Sequence, residues 1–237
     1  MAADSLQIAA ASDLATCIDE LNSSFAKSVG GADLKSSTGS SGNFFAQIKN
    51  GAPFDVFLSA DIFYPRELAK AGLADAATLV VYAHGQLVMW SSDPKLDLST
   101  GLRLLGDPKI QRIAIANPDV APYGRAAKAA LQKAGVWESI KHKLVFGENV
   151  AQTAQFVDSG NAQVGFVSMA HVKSGKNPHG GAWQVPDDIL PLMEQGGIVT
   201  AKGRGNPLAV KYLAFLRSEA GRAILRKYGF GLPEAGS

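Results

Sequence analysis

Residues 39–48 read GSSGNFFAQI, a small polar turn that leads directly into a helical pattern. Phe44 and Ile48 lie one helical turn apart, and Gly51 ends the run. Ser41 stands where the N-cap of this helix is expected. A helix start presents backbone N–H groups and the positive end of the peptide dipoles, so it suits a bound anion. A lone serine is usually only a cap, so this reading depends on whether the arrangement recurs.

The same succession of strand, serine and helix occurs at the start of the chain. Residues 6–11 form an apolar strand, Ser12 follows it, and apolar residues then recur at helical spacing. A weaker strand at 34–38 leads into the turn quoted above, and a third at 54–59 precedes a helix at 63–71. Such alternation predicts a mostly parallel sheet flanked by helices. Ligands of these sheets lie beyond the carboxyl ends of the strands, where the serines stand.

The second half of the chain repeats this pattern. An apolar run at 79–90 is interpreted as a strand of the first sheet followed by a strand of a second. Strands at 112–116 and 143–146 are each followed by a turn and a helix, and a strand at 163–168 ends in a serine. The turns after the first two of these strands contain Pro122-Tyr123-Gly124 and Asn149-Val150, and Ser168 is the last residue of the third strand.

The last part of the chain is expected to return to the first sheet. Residues 189–201 contain Pro191, Gly196 and Gly197, and they predict an irregular return crossing. A long helix then begins at Asn206-Pro207, with a possible break around 218–221. The predicted architecture is two α/β lobes with a cleft between them. Lobe 1 comprises 1–82 plus 195–237, and lobe 2, inserted into it, comprises 83–194.

Composition excludes several classes of function. The net charge is +2 without a basic run, so nucleic acid is not an expected partner. No apolar run reaches the ~18 residues that a membrane-spanning helix needs. The single cysteine, Cys17, excludes an intrachain disulfide and is expected to pack in the core. The polar leader at 1–5 fits either a start that replaces an export signal or a native cytoplasmic start.

Four turns are the candidate binding elements: those that contain Ser12, Ser41, Tyr123 and Val150. Each joins a strand end to a helix start, and none contains a lysine. Arg125 follows one of them, but a side chain in the first helical turn is expected to face solvent. If two turns come from each lobe, N–H and O–H donors alone can hold a dianion.

Several motifs spread along the chain carry a family resemblance, and the block GAPFDVFLSAD at 51–61 is the most specific of them. With it, the chain from 7 to 230 resembles the periplasmic molybdate-binding proteins (ModA family) of ABC importers. The other matching motifs are Ala9-Ala10-Ala11-Ser12, Ser40-Ser41, Gln47-Ile48, Asn117-Pro118, Pro122-Tyr123-Gly124, Glu148-Asn149-Val150, Val164-Gly165-Phe166-Val167 and Lys227-Tyr228-Gly229-Phe230.

This resemblance implies a two-lobed periplasmic-binding-protein fold of type II, with the ligand in the cleft between the lobes. It implies molybdate or tungstate as the ligand, bound tetrahedrally by hydrogen bonds without direct protein–metal ligands and without a cofactor. It also implies a periplasmic location, with the signal peptide absent from this sequence, and a membrane permease as partner. We expect a monomer.

The resemblance assigns a role to each site residue. Ser12 and Ser41 would each give a hydroxyl and a backbone N–H, and Tyr123 and Val150 would each give a backbone N–H. Some family members add a tyrosine hydroxyl at the position of Ser168. Three alternatives remain here: the shorter serine reaches through water, Tyr123 or another donor replaces that bond, or the bond is absent. Asp13 is expected to turn its carboxylate away from the ion.

Two alternatives remain open. The same fold could bind another oxyanion, such as sulfate, or a small organic anion. An enzyme is the rival of a different class, but the turn at 39–42 lacks the spacing of a nucleophile elbow and no P-loop lysine motif occurs. The four histidines are scattered, and His171 and His179 are expected to be solvated. We therefore expect no catalysis.

Overall fold

The computed structural model describes residues 5–175 and 180–234. Chain contacts divide it into two compact units. Unit 1 contains the chain up to Gly85 and again from Glu194 onwards, and unit 2 contains Gln86–Met193. Within the described ranges no helix combines the length and the apolar character that crossing a bilayer requires.

Both units are built from short strands and helices. In chain order the strands are β1 (Ser5–Ala11), β2 (Asp33–Gly39), β3 (Val56–Ser59), β4 (Val80–His84), β5 (Leu87–Ser91), β6 (Ile113–Ala116), β7 (Leu144–Gly147), β8 (Val164–Ser168), β9 (Gly181–Gln184) and β10 (Glu194–Val199). The α-helices are α1 (Ile18–Ser28), α2 (Ser41–Lys49), α3 (Phe63–Lys70), α4 (Pro122–Lys133), α5 (Trp137–Ile140), α6 (Val150–Asp158), α7 (Met169–Lys173), α8 (Pro207–Arg217) and α9 (Glu219–Lys227). Short 3₁₀ turns lie at Ser12–Thr16, Ala76–Thr78, Leu98–Gly106 and Lys141–Lys143.

The two sheets share one strand arrangement. Unit 1 has the order β2-β1-β3-β10-β4, and unit 2 has the order β7-β6-β8-β5-β9. In each sheet the first three strands pair in parallel, whereas the fourth, β10 or β5, is antiparallel to both of its neighbours. The predicted α/β class is confirmed, and the sheets are mixed because each contains one reversed strand.

The apolar run at 79–90 forms two strands, as predicted. β4 belongs to the sheet of unit 1 and β5 to the sheet of unit 2. The predicted break in the last long helix is also confirmed, since α8 ends at Arg217 and α9 begins at Glu219. Between them the Ser218 side chain accepts a hydrogen bond from the Gly221 N–H and caps the second helix.

Aromatic packing fixes α8 against α1 within unit 1. Phe25 of α1 is buried, and its ring lies 5.0 Å from that of Tyr212 and 5.6 Å from that of Phe215. Tyr212 also donates a hydrogen bond from its hydroxyl to Asn22 Oδ1 at 2.6 Å. Aromatic pairs of this kind contribute about 0.5–1.5 kcal/mol beyond the area they bury.

The return crossing predicted at 189–201 is irregular only in its first part, because residues 194–199 form the strand β10, whose pairing with β4 contains a bulge at Gln195 and Gly196. The glycines that suggested irregularity lie where neighbouring side chains pack closely on the strand. A Cβ on Gly196 would lie 2.7 Å from Ile62 Cδ1, and one on Gly197 would lie 2.8 Å from Leu213 Cδ2. Side chains lie so close to this strand that a larger residue at either position would force its neighbours to shift.

The start of α4 packs even more closely against the end of β6. A Cβ on Gly124 would lie 2.1 Å from the carbonyl oxygen of Ala116, which is backbone and cannot move aside easily. We expect Gly124→Ala to lower the free energy of unfolding by about 1–3 kcal/mol, the usual range for overpacking. Urea unfolding of the full chain measures this.

Gly106→Ala is the matched control in the same unit. Gly106 is exposed, and a Cβ there meets no atom within 4 Å. A change within about 0.5 kcal/mol is expected. Equal stability of the two variants would contradict the assigned packing of α4 on β6.

Candidate functional site

Ser12 directly follows the central strand β1 of unit 1. It opens the 3₁₀ turn Ser12–Thr16 and is largely buried. The next residue, Asp13, is also buried, and its Oδ2 accepts a hydrogen bond from Gln195 Nε2 at 2.5 Å. Cys17 lies in the core as predicted, where burial and, secondarily, the Asp13 charge raise the pKa of its thiol.

Ser41 is not the N-cap of α2, contrary to our prediction. Ser40 has the extended backbone of a cap, with φ −73° and ψ 140°, and its Oγ accepts from the Asn43 N–H at 3.3 Å. Ser41 is therefore the first helical residue. Its buried Oγ accepts from the Ala60 N–H at 3.0 Å. A hydroxyl that accepts in this way keeps its own proton for donation to another group.

The strand register brings these residues of unit 1 to one edge. Ala11 of β1 is paired with Gly39 of β2, so Ser12 and Ser40 are the next residues on neighbouring strands. Ala10 is paired with Leu58 of β3, which places Ala60 on the same edge. The bond from Ala60 N–H to Ser41 Oγ then ties the start of α2 to the end of β3. Unit 1 thus gathers both predicted serines.

Unit 2 presents helix starts at the corresponding edge of its own sheet. Tyr123 is the second residue of α4. Ala121, at the N-cap of this helix, provides no side-chain cap. Val150 is the first residue of α6, and Asn149 caps that helix by accepting from the Gln152 N–H at 3.0 Å. The two strands that precede them end together, since Ala116 is paired with Gly147.

First-turn N–H groups have no partner within their own helix. Among the hydrogen bonds of residues 5–175 and 180–234, none uses the N–H of Val150. Both Tyr123 and Val150 are buried. What these two positions share is the backbone at the start of a helix, since their side chains differ.

Ser168 ends β8, the other parallel neighbour of β6. It is buried, and its Oγ accepts from the His171 N–H at 3.3 Å, which makes it the cap of α7. The expectation that His171 is solvated is wrong. Its side chain is only 14% exposed, and its Nε2 lies 3.6 Å from Asp158 Oδ2. His179 lies outside the described residues.

The chemistry of these turns consists of hydrogen-bond donors. The turns themselves contain no lysine or arginine, and the nearest cationic side chain in sequence, that of Arg125, is half-buried. In the described part of the chain, no group of three or more His, Cys, Asp or Glu residues could hold a metal ion. Hydroxyl and amide donors of this kind bind oxyanions rather than bare cations.

Comparison with known proteins adds an independent finding. The family model of bacterial extracellular solute-binding proteins matches residues 6–231. A molybdate-binding protein ModA of Azotobacter vinelandii is 39% identical over 228 residues, which are 96% of this chain and 90% of that protein. One of Rhodobacter capsulatus, also named molybdate-binding protein ModA, is 41% identical over 192 residues, or 81% of this chain and 75% of that protein.

The solved structures agree. The periplasmic molybdate-binding protein of Azotobacter vinelandii superposes with a TM-score of 0.90 at 32% identity, over 97% of this chain and all of that one. This structural match points to the same family as the sequence identities do. The chain belongs to the bacterial extracellular solute-binding proteins and, within them, to the family of the ModA molybdate-binding proteins.

Proposed function

We propose that this protein captures molybdate, and also tungstate, by hydrogen bonds alone and delivers it to the permease of an ABC importer. The observation that carries the proposal is the pair of donor-lined edges, one in each unit, in a chain whose relatives are named for molybdate binding. The protein then acts as a binding protein in the periplasm, as a monomer, with no catalytic step.

The donors divide between the units. Ser12 and Ser41 each supply a hydroxyl proton and a backbone N–H, and Tyr123 and Val150 each supply a backbone N–H. The bond from Ala60 N–H to Ser41 Oγ supports this role, because it occupies the oxygen and leaves the proton to point elsewhere. In this proposal molybdenum has no protein ligand and is surrounded only by its own oxygens.

Ser168 completes the set in a subordinate role. Its oxygen already accepts from the His171 N–H, so its proton is the group that remains for an ion or a bridging water. A serine is shorter than the tyrosine of some relatives by a whole ring, and a water between Ser168 and the ion makes up this difference at little enthalpic loss.

Sharing one ion between both units gives the mechanism of capture. Donors from unit 1 and unit 2 must both reach the ion, so a bound ion favours the arrangement in which they face it and water is expelled. Loss of water lowers the local dielectric and strengthens each bond to the dianion. Release to the permease then requires the two sets of donors to separate.

Ion selectivity tests the proposed ligand. Molybdate and tungstate have nearly the same size and charge and should bind with similar affinity. Sulfate has shorter bonds, and each hydrogen bond it leaves unmade costs about 1 kcal/mol or more, so it should bind at least about fivefold more weakly. Calorimetric titration of the purified protein with the three ions measures this. Tighter binding of sulfate than of molybdate would sink the proposal.

Serine truncation tests the proposed site. Ser12→Ala and Ser41→Ala should each weaken molybdate by about 1.5–3 kcal/mol, or roughly 10- to 150-fold, because each removes a hydrogen bond to a charged group. The control is Ser23→Ala, an exposed serine on α1 of the same unit, which should bind as the unmodified protein does. Unchanged affinity in both test variants would remove these serines from the site.

A further inference from the structure

Three buried polar side chains of unit 1 are joined by hydrogen bonds into a row that begins at Asp13, the residue after Ser12. Asp13, Gln195 and Tyr82 are at most 1% exposed. Gln195 Nε2 donates to Asp13 Oδ2 at 2.5 Å, and Gln195 Oε1 accepts from the Tyr82 hydroxyl at 2.9 Å. Asp13 and Gln195 are separated by 182 positions in the chain, so the fold alone brings them together.

The pattern of donors and acceptors fixes the orientation of the Gln195 amide. Its oxygen faces a phenol, which can donate, and its nitrogen faces a carboxylate, which accepts. The reversed amide would place its oxygen against the carboxylate and lose that bond, whereas the phenol can accept as well as donate. The Asp13 carboxylate therefore sets the orientation of the amide, and Tyr82 holds the amide oxygen from the other side.

A β-bulge places Tyr82 in this row. Gln195 is paired with Ala83, but the next residue, Gly196, is paired with Val81, so Tyr82 is the extra residue of β4. A bulge turns a side chain away from the direction that regular pairing would give it. The Tyr82 hydroxyl also lies 3.3 Å from the carbonyl oxygen of Ser59, at the end of β3.

The burial of the Asp13 carboxylate requires an explanation. Burying a carboxylate is unfavourable unless hydrogen bonds compensate. The Asp13 carboxylate also follows a residue that is proposed to bind a dianion, and the two negative charges repel each other. When the Gln195 amide holds the Asp13 carboxylate, however, it also keeps the backbone of Asp13 and of the preceding Ser12 in one conformation. The bond from Gln195 can therefore turn the charge away from the ion and fix the turn at the same time.

We propose that Asp13 and Gln195 are positioning residues for oxyanion binding: the Gln195 amide anchors the Asp13 carboxylate, and this anchor aims the Ser12 hydroxyl at the ion. The proposal rests on the proposed function, because Ser12 must bind the ion for its orientation to matter. Asp13 itself makes no side-chain bond to the ion.

A double-mutant cycle on Ser12 and Asp13 tests this. Molybdate affinity is measured by calorimetry for the unmodified protein, Ser12→Ala, Asp13→Ala and the double variant. Asp13→Ala should weaken binding about tenfold, and the double variant should bind within about threefold of Ser12→Ala, since there is then no hydroxyl left to aim. Asp13→Asn, which retains an acceptor for Gln195, should stay within threefold of the unmodified protein.

Asp55→Ala is the matched control. The Asp55 carboxylate accepts from the Gln7 N–H at 2.7 Å, so it too holds backbone in unit 1, but near the start of β1. Its loss should lower stability without changing molybdate affinity. If Asp13→Ala does not fold, Tyr82→Phe replaces it, with two- to fivefold weaker binding expected and no effect when Ser12→Ala is also present.

The outcomes separate the two proposals. If Ser12→Ala binds as the unmodified protein does, the binding role of Ser12 and the positioning role of Asp13 both fall. If Ser12→Ala weakens binding but the effects of the two substitutions multiply, only the positioning role falls. Tighter binding by Asp13→Ala would also overturn it, because charge repulsion would then outweigh orientation.

Discussion

Parallel pairing around the central strands is the constraint on which the rest of this structure depends. β1 is bonded in parallel to β2 and β3, and β6 is bonded in parallel to β7 and β8. Parallel strands end at the same edge of a sheet, so the chain must turn there and start a helix. The clustering of helix starts is thus a consequence of the pairing, and the donors at these starts come with it.

The proposed selectivity follows from what such an edge can offer. Backbone N–H groups and serine hydroxyls carry no net charge, so they stay buried in the absence of an ion at lower cost than lysine or arginine would. They are also short and fixed by strands and helices, so they fit one ion size better than a flexible cation does. In this scheme the buried Asp13 is tolerated because the Gln195 amide holds its charge.

The sequence predicted the local features well and the distant contacts poorly. The order of strands, turns and helices follows from periodicity, which is local, and Ser12 and Val150 stand after a strand and at a helix start, where that order places them. The cap of α2 was misplaced by one residue, because two adjacent serines present the same signal and only the backbone angles of Ser40 distinguish them. β10 was not predicted as a strand, because its glycines are explained by close packing against residues that are distant in the chain. The Asp13–Gln195 bond has no sequence signal for the same reason.

The antiparallel pairing of β4 with β10 has a consequence for the gene. The chain leaves unit 1 after β4 and returns to it in β10, and His84 is paired with Glu194 across these neighbouring strands. A tight turn of about two residues is enough to join strands that are related in this way. The coding region for the residues between β4 and β10 could therefore be deleted and replaced by a short turn. Deleting it would leave a continuous half-protein that retains only Ser12 and Ser41 of the proposed donors, and the affinity of this half for an oxyanion would measure their contribution alone.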